Sequence, residues 1–381
     1  MKRWSNSGAG MRIGIDASPI VGDRGGVGWH TYYLLEAMLA GADDVEFIGY
    51  LRPGSVLPDD ARSWRTGGRI TWVEAAKWAM RWRGRTDRLD LYHGTNFKLH
   101  TVGRYGGIVT IHDLWLERFP QYSTKVLGQG LASMKARRTA GRARTVVTVS
   151  EFSARELSEL YAVPRERLSV IPNGVADDFS VRRDDRAMAE LRARIRLPDG
   201  PYLLFIGGAD PRKNHRRFLE AAHLMRGPLQ GRRLLLVGSP DHAFGSYQES
   251  AKTYGLTAQV CCPGRLGRAD LQLLYTYADQ FVFPSLYEGF GMPVLEAMAC
   301  GTPVITSRTT GVAEAAGDAA LLVDPEDARS VGEAMVSLLE DASLRASLTA
   351  KGFERVKRFS WRSAAAKTLD VYRRLCQERG S

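Results

Sequence analysis

The chain has 381 residues, of which 44% are hydrophobic and 25% are charged, and its formal net charge is +11. This length exceeds one ordinary compact core and favours about two domains. The composition is that of a soluble globular protein and excludes a mainly disordered chain. The positive charge favours polyanions in general and does not choose among them.

Two further kinds of protein are excluded by pattern. No window holds the roughly 18 to 20 uninterrupted apolar residues of a membrane-spanning helix, and residues 1–10 have no apolar signal-peptide core. The cysteines include the adjacent pair Cys261 and Cys262 and show no C-x2-C spacing, which is not typical of a zinc site or a disulfide framework. We therefore expect a cytoplasmic protein with no bound metal.

The first half of the chain alternates short apolar runs with amphipathic segments. MRIGIDAS predicts a strand, GDRGGVG a glycine-rich loop, and WHTYYLLEAMLA a helix. Further strands are predicted at VEFIGYL, ITWVEA, LDLYHG, GIVTIHD, TVVTVS and LSVIPNG. Strands that alternate with helices favour a mostly parallel, doubly wound sheet.

The pattern restarts after a charged stretch, residues 177–196, which predicts a linker and the first helix of a second domain. Strands are then predicted at YLLFIGG, RRLLLVGS, QVCCPG, QFVFPS, TPVITS and AALLVDP. We expect one doubly wound domain at 11–178 and another at 179–358. Residues 359–381 predict a terminal helix, with the hypothesis that it crosses back to the first domain.

The segment PSLYEGFGMPVLEAMACGTPVITS, residues 284–307, gives the strongest indication of chemistry. Glu288 follows a predicted strand, Pro293 suits the first turn of a helix, and Glu296 falls about one turn into that helix. Free amides and the helix dipole favour a phosphate there, while carboxylates accept hydrogen bonds from sugar or ribose hydroxyls. The alternative is a loop carboxylate and a surface residue, but the neighbouring glycines and proline favour a site.

A basic turn forms the second candidate. Arg212 and Lys213 lie in the segment DPRKN, just after a predicted strand that ends in Gly207 and Gly208. Adjacent cations before a helix suit a diphosphate, whose negative charge grows when it leaves. The alternative is a solvated basic turn.

The first half of the chain contributes weaker candidates. Gly25 and Gly26 lie in a glycine-rich loop, which alone is more typical of tight packing than of phosphate contact. His112 ends a predicted strand, where ligands gather in parallel sheets, although a lone histidine there is more often structural. Asp113 is weaker still, and Ser150 suits a helix N-cap better than a ligand contact.

Five segments, in this order, resemble the retaining glycosyltransferases of family 4, whose signature is E-x7-E. They are TIHDL, VTVSEFS, IPNGV, FIGGADPRKN and residues 284–307. The resemblance covers nearly the whole chain from Met11 onward. It implies an α/β protein with a GT-B fold, in which two Rossmann-like, doubly wound domains face a central cleft. The first domain would bind the acceptor and the second the nucleotide sugar.

The resemblance also implies residue roles. Glu288 would hold the hydroxyls of the donor sugar, Glu296 the ribose, Lys213 with Arg212 the diphosphate, and His112 the donor hexose. The other implied positions are, on the donor side, Gly25, Gly26, Gly208, Gly289, Phe290, Gly291, Met292 and Pro293, and, on the acceptor side, Asp113 and Ser150. Gly208 departs from the family pattern, because many relatives have arginine there, and we expect Arg212 to supply the missing charge.

The implied enzyme is a retaining, metal-independent hexosyltransferase with no cofactor other than its nucleoside diphosphate sugar. The PRKN and EGFGMP segments favour GDP-mannose as donor. The implied acceptor is a saccharide or a lipid-linked group in the synthesis of cell-surface polysaccharide or glycolipid.

Residues 62–88 combine eight cations with two acidic residues and four interleaved tryptophans. The cations are Arg62, Arg65, Arg69, Lys77, Arg81, Arg83, Arg85 and Arg88, and the tryptophans are Trp64, Trp72, Trp78 and Trp82. Such a face suits an anionic membrane surface, which gives the hypothesis of peripheral attachment at the inner leaflet. The equally weighted alternative is that the tryptophans are core residues and the arginines are solvated.

Three other functions are compatible with parts of this sequence to different degrees. A nucleotide-sugar 2-epimerase shares the architecture and stays an alternative, as does a basic nucleic-acid-binding protein. A nicotinamide dehydrogenase needs G-x-G-x-x-G in the first turn, which GDRGGVG does not match. Since no nucleic-acid recognition motif accompanies the charge, we expect no nucleic-acid partner.

Overall fold

The computed structural model describes residues 10–65, 70–122, 126–242 and 245–378. The chain divides into two compact units. Unit 1 comprises the described residues of Met1–Glu117, Lys125–Gly174 and Trp361–Ser381, and unit 2 those of Arg118–Thr124 and Val175–Ser360. The predicted cation Arg69 and residues 1–9 lie outside the described residues.

Unit 1 is built on a parallel sheet of seven strands. The strands are β1 (Met11–Asp16), β2 (Val45–Leu51), β3 (Ile70–Glu74), β4 (Leu91–Gly94), β5 (Gly107–Thr110), β6 (Thr145–Thr148) and β7 (Leu168–Val170). Their order is β3-β2-β1-β4-β5-β6-β7. The order changes direction between β1 and β4, and ligands of open parallel sheets bind at the carboxyl ends of strands beside such a point.

The helices of this part of the chain fill the connections between the strands. They are α1 (Gly26–Gly41), α2 (Asp59–Arg62), α3 (Met80–Thr86), α4 (Trp115–Arg118), α5 (Val126–Arg142) and α6 (Glu151–Tyr161). The inner strands β4, β5 and β6 are buried along their whole length. This is why they read as nearly continuous apolar runs in the sequence.

A glycine inside β1 shapes the sheet surface near the point where the strand order changes. A Cβ atom on Gly14 would lie 2.9 Å from Tyr50 Cε2 and 3.1 Å from Tyr92 Cδ2. Glycine therefore makes room for these two tyrosine rings, which belong to β2 and β4, and for Leu89, whose Cδ1 would lie 2.5 Å from that Cβ atom.

Unit 2 has a six-stranded parallel sheet. Its strands are β8 (Tyr202–Ile206), β9 (Arg233–Val237), β12 (Val260–Gly264), β13 (Gln280–Phe283), β14 (Val304–Ser307) and β15 (Leu321–Val323), and the short hairpin strands β10 (Asp241–His242) and β11 (Gly245–Ser246) stand apart. The sheet order is β12-β9-β8-β13-β14-β15. The helices are α7 (Asp185–Ile195), α8 (His215–Leu224), α9 (Tyr247–Thr253), α10 (Arg268–Tyr277), α11 (Met292–Ala299), α12 (Thr310–Ala316), α13 (Ala328–Glu340) and α14 (Ala342–Val356).

The last helix, α15 (Trp361–Gln377), belongs to unit 1. The Tyr372 hydroxyl lies 2.7 Å from Nδ1 of the buried His93. Trp361 stacks on Tyr33 of α1 with ring centroids 5.7 Å apart. The end of the chain is thus a structural part of the first unit.

Two doubly wound parallel sheets confirm the predicted fold class. Every predicted strand segment contains a strand, and the charged stretch at 177–196 contains α7. The hairpin of β10 and β11 was not predicted. Among the described residues, no helix has both the length and the apolar character needed to cross a membrane.

Candidate functional site

The centre of the candidate site is a buried ion pair in unit 2. Lys213 Nζ donates to Glu288 Oε1 at 2.7 Å, and the two side chains are only 14% and 10% exposed. These residues are 75 positions apart, so the fold brings together the basic turn and the first glutamate of the E-x7-E segment.

The turn that carries Lys213 follows β8 and is held at both ends. Residues Pro211–Lys213 form one turn of 3-10 helix, which Asp210 caps by accepting from the Arg212 amide at 3.0 Å. Asn214 then adopts a left-handed conformation, and its Nδ2 donates to the carbonyls of Pro284 and Pro325 at 2.9 and 2.7 Å. Lys213 therefore has a fixed starting point.

A glycine makes room for the lysine stem. A Cβ atom on Gly207 would lie 3.1 Å from Lys213 Cγ, closer than most carbon contacts allow. The ammonium group lies 5.1 Å from the ring centroid of Phe283, the last residue of β13. The side chain thus runs along the end of the sheet to reach Glu288.

The loop after β13 fixes Glu288 from several sides. Ser285 Oγ lies 2.7 Å from Glu288 Oε1 and 2.8 Å from the Arg212 carbonyl. The Glu288 amide donates to Thr310 Oγ1 at 3.2 Å, and its carbonyl accepts from the Gly311 amide at 2.9 Å. The carboxylate is therefore placed by the basic turn on one side and by α12 on the other.

Burial and the neighbouring charges act in opposite directions on both groups of this pair. Burial raises the pKa of Glu288, but Lys213 and Arg212, together with hydrogen bonds from Lys213 and Ser285, outweigh it and hold the pKa below its usual value. Burial, and more weakly Arg212, lower the pKa of Lys213 below its usual value, although Glu288 opposes this shift. The cluster thus stabilises the carboxylate form of Glu288.

The glycines of the E-x7-E segment allow the loop to pack against α12. Gly291, the N-cap of α11, has φ of 114°, and a Cβ atom there would lie 2.7 Å from Val312 Cγ2. A Cβ atom on Gly311 would lie 2.1 Å from the Gly289 carbonyl oxygen. Met292 and Pro293 then form the first turn of α11, in which Pro293 has no N–H and the Val294 amide donates to the carbonyl of the N-cap Gly291 at 3.1 Å.

Phe290 and Gly208 complete the predicted donor-side positions in unit 2. Phe290 is buried, with its ring centroid 5.6 Å from that of Phe359. Gly208 has φ of 80°, a conformation that favours glycine. Arg212 Nε lies 3.6 Å from Asp210 Oδ2, and the arginine charge contributes to the lowered pKa of Glu288. That Arg212 supplies the charge missing at position 208 stays a prediction.

Glu296 lies farther along α11 and has different partners. Tyr275 donates to Glu296 Oε2 at 3.3 Å, and Arg268 Nη1 lies 3.9 Å from Oε1. Arg268 also forms a two-pronged pair with Asp178, with both N to O distances 2.7 Å. Burial raises the pKa of Glu296 to about 7, although Arg268 opposes this shift. Within the described residues, no hydrogen bond joins Glu296 to the Lys213–Glu288 pair.

The predicted glycine loop of unit 1 leads directly into α1. Gly25 is the N-cap of this helix with φ of −81°, and Gly26 is its first residue. Both are exposed, and a Cβ atom on Gly25 would meet no atom of the described residues within 4 Å. Neither backbone conformation nor packing within unit 1 therefore requires glycine at position 25. By contrast, a Cβ atom on Gly28 would lie 2.7 Å from the Pro19 carbonyl oxygen.

His112 is a buried, neutral histidine just after β5. Its Nε2 donates to the Thr95 carbonyl at 3.0 Å. Burial lowers its pKa, although that hydrogen bond and Asp113 oppose the shift. Its ring packs edge-on against His30, with centroids 4.5 Å apart, and His30 in turn lies 2.7 Å from Asn173 Oδ1.

The two predicted acceptor-side residues both accept hydrogen bonds from nearby backbone amides. Asp113 Oδ1 accepts from the Trp115 amide at 3.2 Å, at the start of α4. Ser150 is the N-cap of α6, where its hydroxyl accepts from the Ser153 amide at 3.0 Å. The N-cap predicted for Ser150 is present, while contact of either residue with an acceptor stays a prediction.

Sequence reasoning missed the residues that hold the pair in place. Ser285 and Thr310 bind Glu288, and Asn214 ties the basic turn to two other loops. Ser285 lies three residues before Glu288, which was a usable signal. Thr310 gave none, because only the packing of α12 brings it near.

Comparison with known proteins agrees with this architecture. Residues 24–179 match the family described as Glycosyltransferase Family 4, and residues 188–355 match that described as Glycosyl transferases group 1. The chain is 33% identical over 304 residues to the O-antigen chain mannosyltransferase B of Escherichia coli, covering 78% of this chain and 77% of that protein.

Two other proteins extend the comparison. The serotype-specific mannosyltransferase WbdA of Escherichia coli is 32% identical over 240 residues, which are 62% of this chain but 29% of that longer protein. The solved structure of sucrose-phosphate synthase from Thermosynechococcus elongatus superposes with a TM-score of 0.76 at 23% identity, over 96% of this chain and 99% of that one. Together with the two parallel sheets, these matches identify the chain as a member of the family 4 glycosyltransferases, with the GT-B fold.

Proposed function

We propose that this protein transfers mannose from GDP-mannose to a saccharide or lipid-linked acceptor during the synthesis of a cell-surface polysaccharide or glycolipid. The similarity to two mannosyltransferases, one of them named for the O-antigen chain, supports the sugar and the kind of product. We assign the nucleotide sugar to unit 2 and the acceptor to unit 1.

The observation that carries the proposal is the Lys213–Glu288 pair next to the start of α11. The Lys213 amine is buried and held by Glu288 at 2.7 Å. A preorganised cation at this position stabilises the charge that grows on a leaving diphosphate. Arg212 and the positive end of the α11 dipole would add to this stabilisation, and Glu288 would accept hydrogen bonds from hydroxyls of the donor sugar.

The reaction we propose is retaining and needs no metal. The bond between the anomeric carbon and the diphosphate oxygen breaks through an oxocarbenium-like transition state. The acceptor oxygen forms the new bond on the same face, and its proton passes to the departing phosphate oxygen. Gly25 and Gly26 would approach the diphosphate with their backbone, and His112, as a neutral imidazole, would position the hexose.

A donor panel tests this function. The full chain is incubated with GDP-mannose, UDP-glucose or UDP-N-acetylglucosamine, with and without methyl α-mannoside, and the released nucleotide is measured. We expect the fastest acceptor-dependent release from GDP-mannose, unchanged by EDTA, and an α-linked product by NMR. Release only from the UDP sugars would contradict the donor, a β-linked product would contradict retention, and loss of activity with EDTA would contradict metal independence.

We also propose peripheral attachment to anionic membrane, through a smaller surface than the whole of residues 62–88. Trp64 and Trp72 pack in unit 1, where their rings stack 6.3 Å apart and Trp64 lies 4.9 Å from Tyr32. Trp78 and Trp82, in contrast, are 75% and 60% exposed. Indole rings of this kind favour the headgroup level of a bilayer.

The charges beside these two tryptophans are suitable for anionic lipid. Lys77, Arg81 and Arg85 are exposed and close to Trp78 and Trp82 in sequence, and each cation near a membrane surface adds about 1 kcal/mol of attraction. The attachment surface that we propose is therefore Lys77–Arg85.

Vesicle flotation tests the attachment surface. Wild-type protein should float with vesicles that contain phosphatidylglycerol and not with pure phosphatidylcholine, and the double variant Trp78→Ala/Trp82→Ala should lose flotation. Leu224→Ala, which removes a side chain from another half-exposed site in unit 2, is the matched control and should float like wild type. Equal recovery with both kinds of vesicle would contradict the attachment.

A further inference from the structure

A cavity of about 520 Å³ opens within unit 1, and of the residues proposed above it shares Lys77 and Met80 with the membrane attachment surface. Its walls come from the carboxyl ends of four neighbouring strands and the loops that follow them. Asp16 ends β1, Tyr50 and Leu51 end β2, Ala75 follows β3, and Tyr92 lies in β4. A cavity of this size accommodates a ligand as large as a substituted monosaccharide.

Three cations from three different loops line this cavity. They are Arg52 after β2, Lys77 after β3 and Lys98 after β4. All three are exposed, and within the described part of the chain none has a carboxylate within ion-pair distance. Side chains of like charge repel one another unless an anion lies between them.

The three cations lower the pKa of a histidine in the cavity wall. His100, which also lines it, is 23% exposed at its side chain. Burial lowers the pKa of His100, Asp16 raises it, and Lys98, Lys77 and Arg52 each lower it further. The three cations therefore act on one point of the cavity wall.

The floor of the cavity carries polar groups of a different kind. Tyr92 is fully buried, and its hydroxyl has no hydrogen-bond partner among the residues that the structure describes, which is costly for a buried polar group. Asp16 is also buried; its Oδ1 accepts from the Ser18 amide at 3.1 Å, and its Oδ2 lies 3.8 Å from His100 Nε2. A hydroxyl donor and a carboxylate acceptor suit the hydroxyl groups of a sugar or another polyol.

We propose that this cavity binds the acceptor, and that the acceptor carries a phosphate group. Arg52, Lys77 and Lys98 hold the phosphate, and Asp16 and Tyr92 bind hydroxyls of the same molecule. The role of this ligand as acceptor rests on the proposed function, whereas binding of a phosphorylated polyol at the cavity does not. The phosphate belongs either to a soluble sugar phosphate or to a lipid-linked one, since both present the same group to the three cations.

Calorimetric titration of the full chain tests the site without any need for turnover. The probes are mannose 6-phosphate, mannose and inorganic phosphate at constant ionic strength, and undecaprenyl phosphate in phosphatidylcholine vesicles. We expect mannose 6-phosphate or the lipid phosphate to bind at least about tenfold more tightly than mannose, because hydrogen bonds to a charged group distinguish them. The probe that binds more tightly identifies the source of the phosphate.

Single variants locate the binding. Arg52→Ala, Lys77→Ala and Lys98→Ala should each weaken the phosphorylated probe by about 10- to 100-fold, the value of one such hydrogen bond. Lys135→Ala, which removes an exposed cation of α5 outside the cavity, should change nothing. Tyr92→Phe should weaken binding of the phosphorylated probe without lowering Tm, because the hydroxyl has no hydrogen bond to lose within the described part of the chain.

Three results would overturn the proposal: equal affinity for mannose and both phosphorylated probes, unchanged binding in all three cation variants, or displacement of the bound probe by GDP. The last would place the probe in the nucleotide site. These outcomes are independent of the donor panel, because a protein that transfers no sugar can still bind the phosphate, and an active transferase can fail to bind it.

Discussion

The two units treat their charged groups in opposite ways. In unit 2, Lys213 and Glu288 are buried and satisfy each other at 2.7 Å. In unit 1, Arg52, Lys77 and Lys98 point from separate loops toward one cavity and have no carboxylate partner among the described residues. A buried pair is costly to break, whereas exposed cations are stabilised by water until a ligand replaces it.

The buried pair and the exposed cations are suited for different tasks. A buried ammonium with a fixed partner is preorganised, and preorganised charge acts on a transition state without reorganisation. Solvated cations on flexible stems instead contribute to the affinity and specificity of binding. We therefore assign the electrostatic part of catalysis to unit 2 and selection of the acceptor to unit 1.

Lys213→Ala is expected to have the largest effect. Loss of one preorganised electrostatic group lowers kcat by roughly 10²- to 10³-fold. It also leaves Glu288 buried without its cation, which should reduce the free energy of unfolding by about 3 to 5 kcal/mol. Steady-state turnover and urea unfolding measure the two effects.

A double variant separates catalysis from stability. Lys213→Ala/Glu288→Gln removes both charges and should recover much of the lost stability without recovering turnover. Lys252→Ala, an exposed cation on α9, is the control and should behave as wild type. Wild-type turnover in Lys213→Ala would show that the diphosphate binds elsewhere in unit 2.

Two glycines give the next largest contrast. Gly25→Ala adds a methyl group where no atom of the described ranges lies within 4 Å and φ is −81°, so Tm should not fall. If the Gly25 backbone approaches the diphosphate, kcat should fall by about 10²-fold, the effect of a displacement near 1 Å in the reacting geometry.

Gly291→Ala is the structural counterpart. It places a methyl group 2.7 Å from Val312 Cγ2 at φ of 114° and should destabilise unit 2 by about 1 to 3 kcal/mol. Thermal unfolding and turnover of the two variants form the measurement. Wild-type turnover in Gly25→Ala would show that the backbone at Gly25 does not contact the ligand.

The sequence was sufficient where the physical signal is local. Buried parallel strands read as apolar runs, so every strand of the two sheets could be predicted. Within residues 284–307, glycine, proline and glutamate follow one another in the order that a loop and a helix start require. The resemblance to family 4 placed Lys213 and Glu288 on the donor side, but their direct pairing, between residues 75 positions apart, is shown only by the structure.

The sequence was insufficient where a site is assembled from distant segments. Arg52, Lys77 and Lys98 each look like ordinary surface cations, and only the strand order β3-β2-β1-β4 brings their loops to one cavity. The orphan hydroxyl of Tyr92 is likewise a property of packing. Trp72 and Trp78 had equal weight in the sequence, but β3 turns the first into unit 1 and the loop after β3 exposes the second.

Glu288→Gln tests how the donor side of unit 2 divides its contacts. The amide keeps the size of the side chain but loses the charge that accepts hydrogen bonds from sugar hydroxyls. kcat/KM for the donor should fall by about 10- to 100-fold, the value of a hydrogen bond to a charged group. The Kd of GDP should change little, since GDP has no hexose. An equal loss of GDP affinity would show that Glu288 acts on the nucleotide instead.

Glu296 should make nucleotide binding depend on pH. Burial raises its pKa from 4.5 to about 7, so the carboxylate that accepts hydrogen bonds from ribose forms as pH rises through about 7. The affinity for GDP should therefore increase by roughly 3- to 10-fold between about pH 6 and pH 8. The GDP affinity of Glu296→Gln should depend less on pH than that of wild type. Any pH dependence that remains in this variant measures the titration of the GDP phosphate itself.

The stability of the free protein should move in the opposite direction. A carboxyl group whose pKa is raised on folding contributes stability below the unfolded pKa of 4.5 and loses it as pH rises through about 7. Wild-type protein should thus unfold at a lower urea concentration at high pH, and Glu296→Gln should remove this part of the trend. If Glu296→Gln changed the pH dependence of neither GDP affinity nor stability, we would assign Glu296 to the ion-pair network with Arg268 and Asp178. The contact with ribose would then come from another residue.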